Sequence, residues 1–134
     1  MQLSYLSRSI LIALLAVILL AHAWAIFTSA YFFTWWLDSA MHFAGGFWVA
    51  LTGLFFARSA SPKGVFLFLI SIGVAATIGI LWEFLEFGLN YFWKDLWNQA
   101  FLQPSLEDTL TDLFFDLLGG VAVFLLFKNS KEDV

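Results

Sequence analysis

Long apolar runs alternate with short polar breaks along this chain. Four runs, residues 9–30, 38–57, 65–87 and 109–127, each reach about the 20 apolar residues that a helix needs to cross a bilayer. Backbone inside hydrocarbon must satisfy its own N–H and C=O groups, so runs of this length predict α-helices. The breaks at 31–37 and 58–64 are brief, and the second holds Pro62 and Gly64, which punctuate a turn. The third break, 88–108, mixes Tyr91, Phe92, Trp93, Trp97 and Phe101 with Lys94, Asp95, Asn98 and Gln99. Trp and Tyr combine an apolar body with a polar edge, so this stretch predicts an interfacial helix or ordered loop at the headgroups. The expected fold is all-α. It is a single integral membrane domain over residues 1–134, a four-transmembrane-helix bundle with an interfacial segment between helices 3 and 4.

Composition excludes the soluble alternative. Of 134 residues, 62% are hydrophobic and 12% charged, against about 45–50% and 25% in ordinary soluble domains. There is no cysteine, which rules out disulfides, thiolate metal sites and a cysteine nucleophile. No basic stretch is present that could hold nucleic acid. The expected partners are membrane lipids, with a homo-oligomer or a membrane partner protein left open.

Two features of the first run compete. Arg8 precedes it and Ala21-His22-Ala23 imitates a signal-peptide cleavage site. The apolar character nevertheless continues to Ala30, so a retained spanning helix is expected.

Lysine and arginine placement sets the orientation. Four spans put Arg8, Arg58, Lys63, Lys128 and Lys131 on one side and Lys94 on the other. The expectation is a bacterial inner-membrane protein with both termini cytoplasmic.

The acids are the chemically informative residues. Asp38, His42, Glu83, Glu86, Asp108, Asp112 and Asp116 lie in or beside the apolar runs, where ionisable groups are costly unless paired or hydrated. Measured from Arg58, Gly64 and Lys128 at about 1.5 Å per residue, His42 and Asp112 stand roughly 24 Å up, Glu83 about 28 Å, Asp38 about 30 Å and Asp116 about 18 Å. Three helices thus deliver acids to one layer near the outer edge of the hydrocarbon. Within each helix the spacing is i,i+3 or i,i+4, which places each set on one face. Small residues continue those faces: Gly45, Gly46 and Gly53, then Gly73, Ala76 and Gly79, then Gly119 and Gly120. Such residues mark where membrane helices approach closely.

Clustered carboxylates in low dielectric need a cation or shared protons. Asp38, His42, Glu83, Glu86, Asp112 and Asp116 are therefore the expected ligands of a divalent metal ion. Carboxylates with one imidazole suit Mg²⁺, Ca²⁺ or Mn²⁺, with Zn²⁺ or Fe²⁺ admitted by His42. Bland roles compete at some positions. Asp38 can cap the second helix, and Ser105 with Asp108 forms a capping box, Glu107 adding favourable charge at that helix start. His22 reads as a core histidine, and the Trp and Phe residues as belt and lipid-facing surface.

The motifs D-S-A-M-H-F-A-G-G from Asp38, W-E-F-L-E-F from Trp82 and D-T-L-T-D-L-F-F-D-L-L-G-G from Asp108 resemble, in order and spacing, the YjdF-type small bacterial inner-membrane proteins. The VanZ-like family is similar more loosely, sharing an Asp-x-x-x-His-Phe element and an Asp-rich start of the last helix. The resemblance spans roughly residues 38–120 and implies a membrane location but no assigned activity. Glu86 stands where VanZ-like chains tend to have Gln, which makes this site more acidic. Three functions are consistent with the residues: a metal-dependent enzyme on a lipid or lipid-linked headgroup, a cation or proton carrier component, and a non-catalytic subunit tied together by its polar cluster. Acids confined to the outer half count against the carrier.

Overall fold

The computed structural model describes residues 7–93 and 105–129. Its elements are α1 (Arg8–Phe27), α2 (Ala30–Phe33), α3 (Leu37–Ala57), a 3₁₀ turn (Arg58–Ala60), α4 (Gly64–Trp93) and α5 (Leu106–Phe127). The fold is all-α, and four of these helices are long and apolar enough to cross a membrane.

The helix limits have local causes. At the start of α1, Ser7 accepts a hydrogen bond from the Ile10 amide through its hydroxyl. This helix stops at Phe27 instead of running on to Ala30. The Thr28 hydroxyl donates to the Trp24 carbonyl at 2.8 Å, and Ser29 takes a left-handed φ of 57°, which breaks the helical path. The chain then restarts at Ala30, the last residue of the first apolar run, as the single turn α2, which extends into the break expected at 31–37. Trp36, not Asp38, occupies the N-cap of α3, and Asp38 sits in its first turn, where the helix dipole favours a negative charge. The Ser105 half of the capping box at α5 forms: the Ser105 hydroxyl accepts from the Asp108 amide at 3.0 Å, and the helix starts three residues before Thr109.

The third span is longer than its apolar run. α4 has 30 residues, about 45 Å at the standard rise, so it outreaches a hydrocarbon core of about 30 Å and projects or tilts. Its last turns take up the start of the expected interfacial stretch. The rest of that stretch, 94–104, lies outside the described residues.

α3, α4 and α5 pack on one another, and α1 lies against α3 and α2. The apolar core sits toward the end bearing Arg58 and Lys128, where Leu54, Leu67, Val123 and Phe127 are buried with Leu11, Leu51 and Phe55. Trp48 ties α1 to α3 there, donating its indole N–H to the Leu11 carbonyl at 2.8 Å.

Glycine makes the α3–α5 contact possible. A Cβ on Gly46 would run into the backbone of Asp116, and one on Gly119 into the backbone of Phe43 and Phe47. Gly79 performs the same service for the Asp116 side chain, Gly53 lies against Val74, and Gly120 is close to the Ser71 carbonyl. Gly45 and Gly73 differ from the expectation of close approach, because a Cβ at either would meet nothing within 4 Å. They share a helix with contact glycines but face open space.

Candidate functional site

The end of the bundle opposite the apolar core collects the acids around one imidazole. His42 projects from α3 and is 6% exposed, Asp112 and Asp116 project from α5 at 2% and 5%, and Glu86 projects from α4 at 8%. Their depth follows from the Gly46–Gly119 crossing, which lets α5 approach α3 closely enough for its acids to reach across. Asp116 lies 3.2 Å from His42 Nδ1. An ionised carboxylate only accepts hydrogen bonds, so with Asp116 ionised and the ring neutral Nδ1–H donates to it and Nε2 carries the lone pair. That second nitrogen faces Asp112 at 3.8 Å and Asp38 at 4.0 Å. Both separations exceed a hydrogen bond.

Among the described residues, two groups have ligand atoms all within 4.8 Å of one another: Asp38, His42 and Asp112, and His42, Glu83 and Glu86. His42 belongs to both, so five of the six residues singled out in the sequence gather about its ring. Asp116 joins neither group. It lies on the Nδ1 side of the imidazole, held there by its place one turn below Asp112, and it orients the ring. Glu83 contributes a buried Oε1 with no hydrogen-bond partner among the described residues. Glu86 is held from its own helix, accepting from Trp82 Nε1 at 2.6 Å. Asp108 lies higher and lines, with Glu83, Glu86 and Ser105, a polar cleft of about 180 Å³ between the end of α4 and the start of α5.

A cavity of about 230 Å³ adjoins the cluster between α1, α3 and α4. Asp38, His42, Glu86 and Asp116 line it at the polar end, and Leu15, Ile18, Val49 and Ile78 line the remainder. His22 and Tyr31 form its opposite wall, with 2.7 Å between His22 Nδ1 and the Tyr31 hydroxyl. Burial pushes the Tyr31 hydroxyl well above the ordinary tyrosine range, and the charges of Asp38 and Glu86 push it in the same direction. Tyr31 therefore keeps its proton, and its hydroxyl is hydrogen-bonded to His22 Nδ1. The His22 ring also stands edge-on to Trp82, with centroids 5.8 Å apart.

His22, Tyr31 and Trp82 are the residues that sequence reasoning did not place at the site. For Trp82 a signal existed, since it precedes Glu86 by one helical turn. His22 and Tyr31 had none, because the bend at Ser29 that turns Tyr31 back toward His22 is a non-glycine residue in a left-handed conformation.

These features define a polytopic membrane protein with a buried carboxylate–histidine centre at one end of its bundle. The chain belongs to the DUF2238 family of predicted membrane proteins, whose model matches residues 1–132. No curated protein and no solved structure matches it.

Proposed function

We propose that this protein is a divalent-metal-dependent membrane enzyme that acts on a lipid or lipid-linked headgroup at the outer leaflet. One observation carries the reading: His42 is oriented through Nδ1 by Asp116 and turns Nε2 toward Asp38 and Asp112. A carboxylate that fixes the far nitrogen of an imidazole is the usual support of a metal-bound histidine. Glu83, whose Oε1 has no hydrogen-bond partner among the described residues, forms with Glu86 a second set of potential ligands about His42. An ion held there supplies Lewis acidity or an activated water. A carboxylate left outside the inner shell, Glu83 or Glu86, serves as general base within reach of the polar cleft. The carboxylate-rich set would suit Mg²⁺, Ca²⁺ or Mn²⁺, and its one imidazole admits Zn²⁺.

The lysine and arginine distribution supports a bacterial inner-membrane setting with both termini cytoplasmic, which puts the site near the outer surface. The motif order supports kinship with the YjdF-type proteins. Lipids are the partners this placement requires.

A second reading, a non-catalytic subunit, draws on the same His42–Asp116 contact, since it joins α3 to α5. The carrier reading finds no support among the described residues, because the inner half is packed with Leu54, Leu67, Val123 and Phe127 and offers no chain of oxygen ligands.

The test is metal content by mass spectrometry after equilibration with Mn²⁺ or Zn²⁺, joined to headgroup release from labelled phospholipids in nanodiscs. Stoichiometric metal in the wild type, lost in Asp38→Asn/Asp112→Asn, with chelator-sensitive release, is the expected result. Metal uptake without release of any headgroup leaves the structural reading in its place. Equal metal uptake in the double variant removes the site.

A further inference from the structure

The cavity beside the metal site has a shape and polarity that the headgroup chemistry does not by itself require. It is lined along α3 from Asp38 to Val49, about 16 Å at the standard rise, and it is polar only at the Asp38 end. Leu19 and Ile78, which line it from α1 and α4, are 54% and 42% exposed. α1 lies against α3 and α2 and meets α4 through the His22–Trp82 ring contact. The slot therefore has a ceiling of polar side chains and opens sideways, between α1 and α4, at the level of the lipid tails. A water-soluble ligand has no reason to use such an entrance, whereas a hydrocarbon chain moves through it without leaving an apolar medium.

The polar ceiling limits the head. His22 holds Tyr31 through Nδ1, and in the tautomer in which Nδ1 accepts from the tyrosine hydroxyl the ring presents Nε2 as an N–H donor. Donors on the α1 side and a cation on the His42 side suit an oxygen-rich anion placed between them. The lining carboxylates repel such a head unless an ion is present, so this inference rests on the metal reading above.

We infer that the slot between α1, α3 and α4 binds the single hydrocarbon chain of an amphiphile with an oxyanion head, the chain entering sideways from the bilayer and the head lying between His22 and the His42 site.

Gly45 supplies a clean test. It lines the slot, and a Cβ added there meets nothing within 4 Å, so Gly45→Leu places its side chain in the slot from a position that is not one of the α3–α5 contact glycines. The whole protein in phosphatidylcholine nanodiscs is titrated with chain-brominated dodecyl phosphate and dodecanoate, and bromine quenching of tryptophan is read, since Trp48 and Trp82 line the slot. Saturable quenching with Zn²⁺ present, weakened about tenfold or more by chelator and by Gly45→Leu, is the expected result, a tenfold change being an ample signal in a titration. The ranking of phosphate over carboxylate, or the reverse, names which oxyanion the site takes. Gly45→Ala, a smaller filling, should fall between the two proteins. Quenching equal in wild type and Gly45→Leu overturns the slot. Tighter binding of brominated dodecylammonium, or no response to chelator, overturns the oxyanion head while leaving the chain in place. Zinc uptake measured on the same samples separates the outcomes: retained uptake with lost quenching in Gly45→Leu supports the slot, and absent uptake in the wild type is a failure of the metal reading alone.

Discussion

His42 Nδ1 on α3 and Asp116 Oδ2 on α5 are hydrogen-bonded at 3.2 Å, although 74 positions separate them in the chain. The contact exists because α5 crosses α3 where both backbones are bare. It leaves Asp116 as the residue that aims the ring and Nε2 as the nitrogen that faces the other acids.

Asp116→Asn keeps an acceptor for Nδ1–H but removes the charge behind it. Metal affinity is expected to fall about 10–100-fold, the usual cost of weakening the support of a metal-bound histidine. Melting curves with and without Zn²⁺ or Mn²⁺ should show a smaller metal-induced rise than in the wild type, because binding to the native state stabilises it by mass action. Identical metal responses in the two proteins would make Asp116 a structural residue only.

Gly46→Ala and Gly119→Ala each force a methyl group into the facing backbone. A loss of about 1–3 kcal/mol is expected, as for an overpacked core, together with poorer metal uptake as α5 moves away from His42. Gly45→Ala is the control: it meets no neighbour, and its melting temperature in detergent should match the wild type or exceed it slightly. A drop in Gly45→Ala as large as in Gly46→Ala would mean that helix flexibility, and not close approach, is what these glycines provide.

Ser105→Ala removes the oxygen that accepts from the Asp108 amide. The expected cost is about 1 kcal/mol, seen as faster hydrogen exchange at the first turn of α5 with the interior of that helix unaffected. Uniformly faster exchange along α5 would show that the cap supports the whole helix.

The proposed orientation places Ser61, in the connection between α3 and α4, on the cytoplasmic side. Ser61→Cys introduces the sole thiol of the chain, so labelling has no background. A membrane-impermeant maleimide should leave it unmodified in intact cells and modify it after lysis. Labelling of intact cells would invert the topology and move the acidic centre to the inner face.

Much of this architecture was readable before any coordinates. Four spans, their approximate limits and the all-α class follow from run length alone, because backbone in hydrocarbon has few ways to satisfy its polar groups. The gathering of the acids at one end of the bundle follows from helix rise, and the cap at Ser105 from its spacing to Asp108. Helix ends were less legible. α1 stops at Phe27 because of a local conformation at Ser29, and α4 runs to Trp93 because a helix continues past the apolar stretch when nothing breaks it.

What lay beyond the sequence was the partition of roles among residues that look alike. Asp112 and Asp116 share a helix face and a residue type, yet one faces Nε2 and the other holds Nδ1, a distinction set by how far α5 slides along α3 at Gly46 and Gly119. Gly45 and Gly46 are neighbours, yet one faces open space and the other a backbone. His22 and Tyr31 reach the site through the bend after α1. Period and composition report which residues share a face of one helix. The crossing point, the rotation of each helix and the gap between α1 and α4 are properties of the packed whole, and they are what turn a layer of acids into an oriented histidine beside a slot.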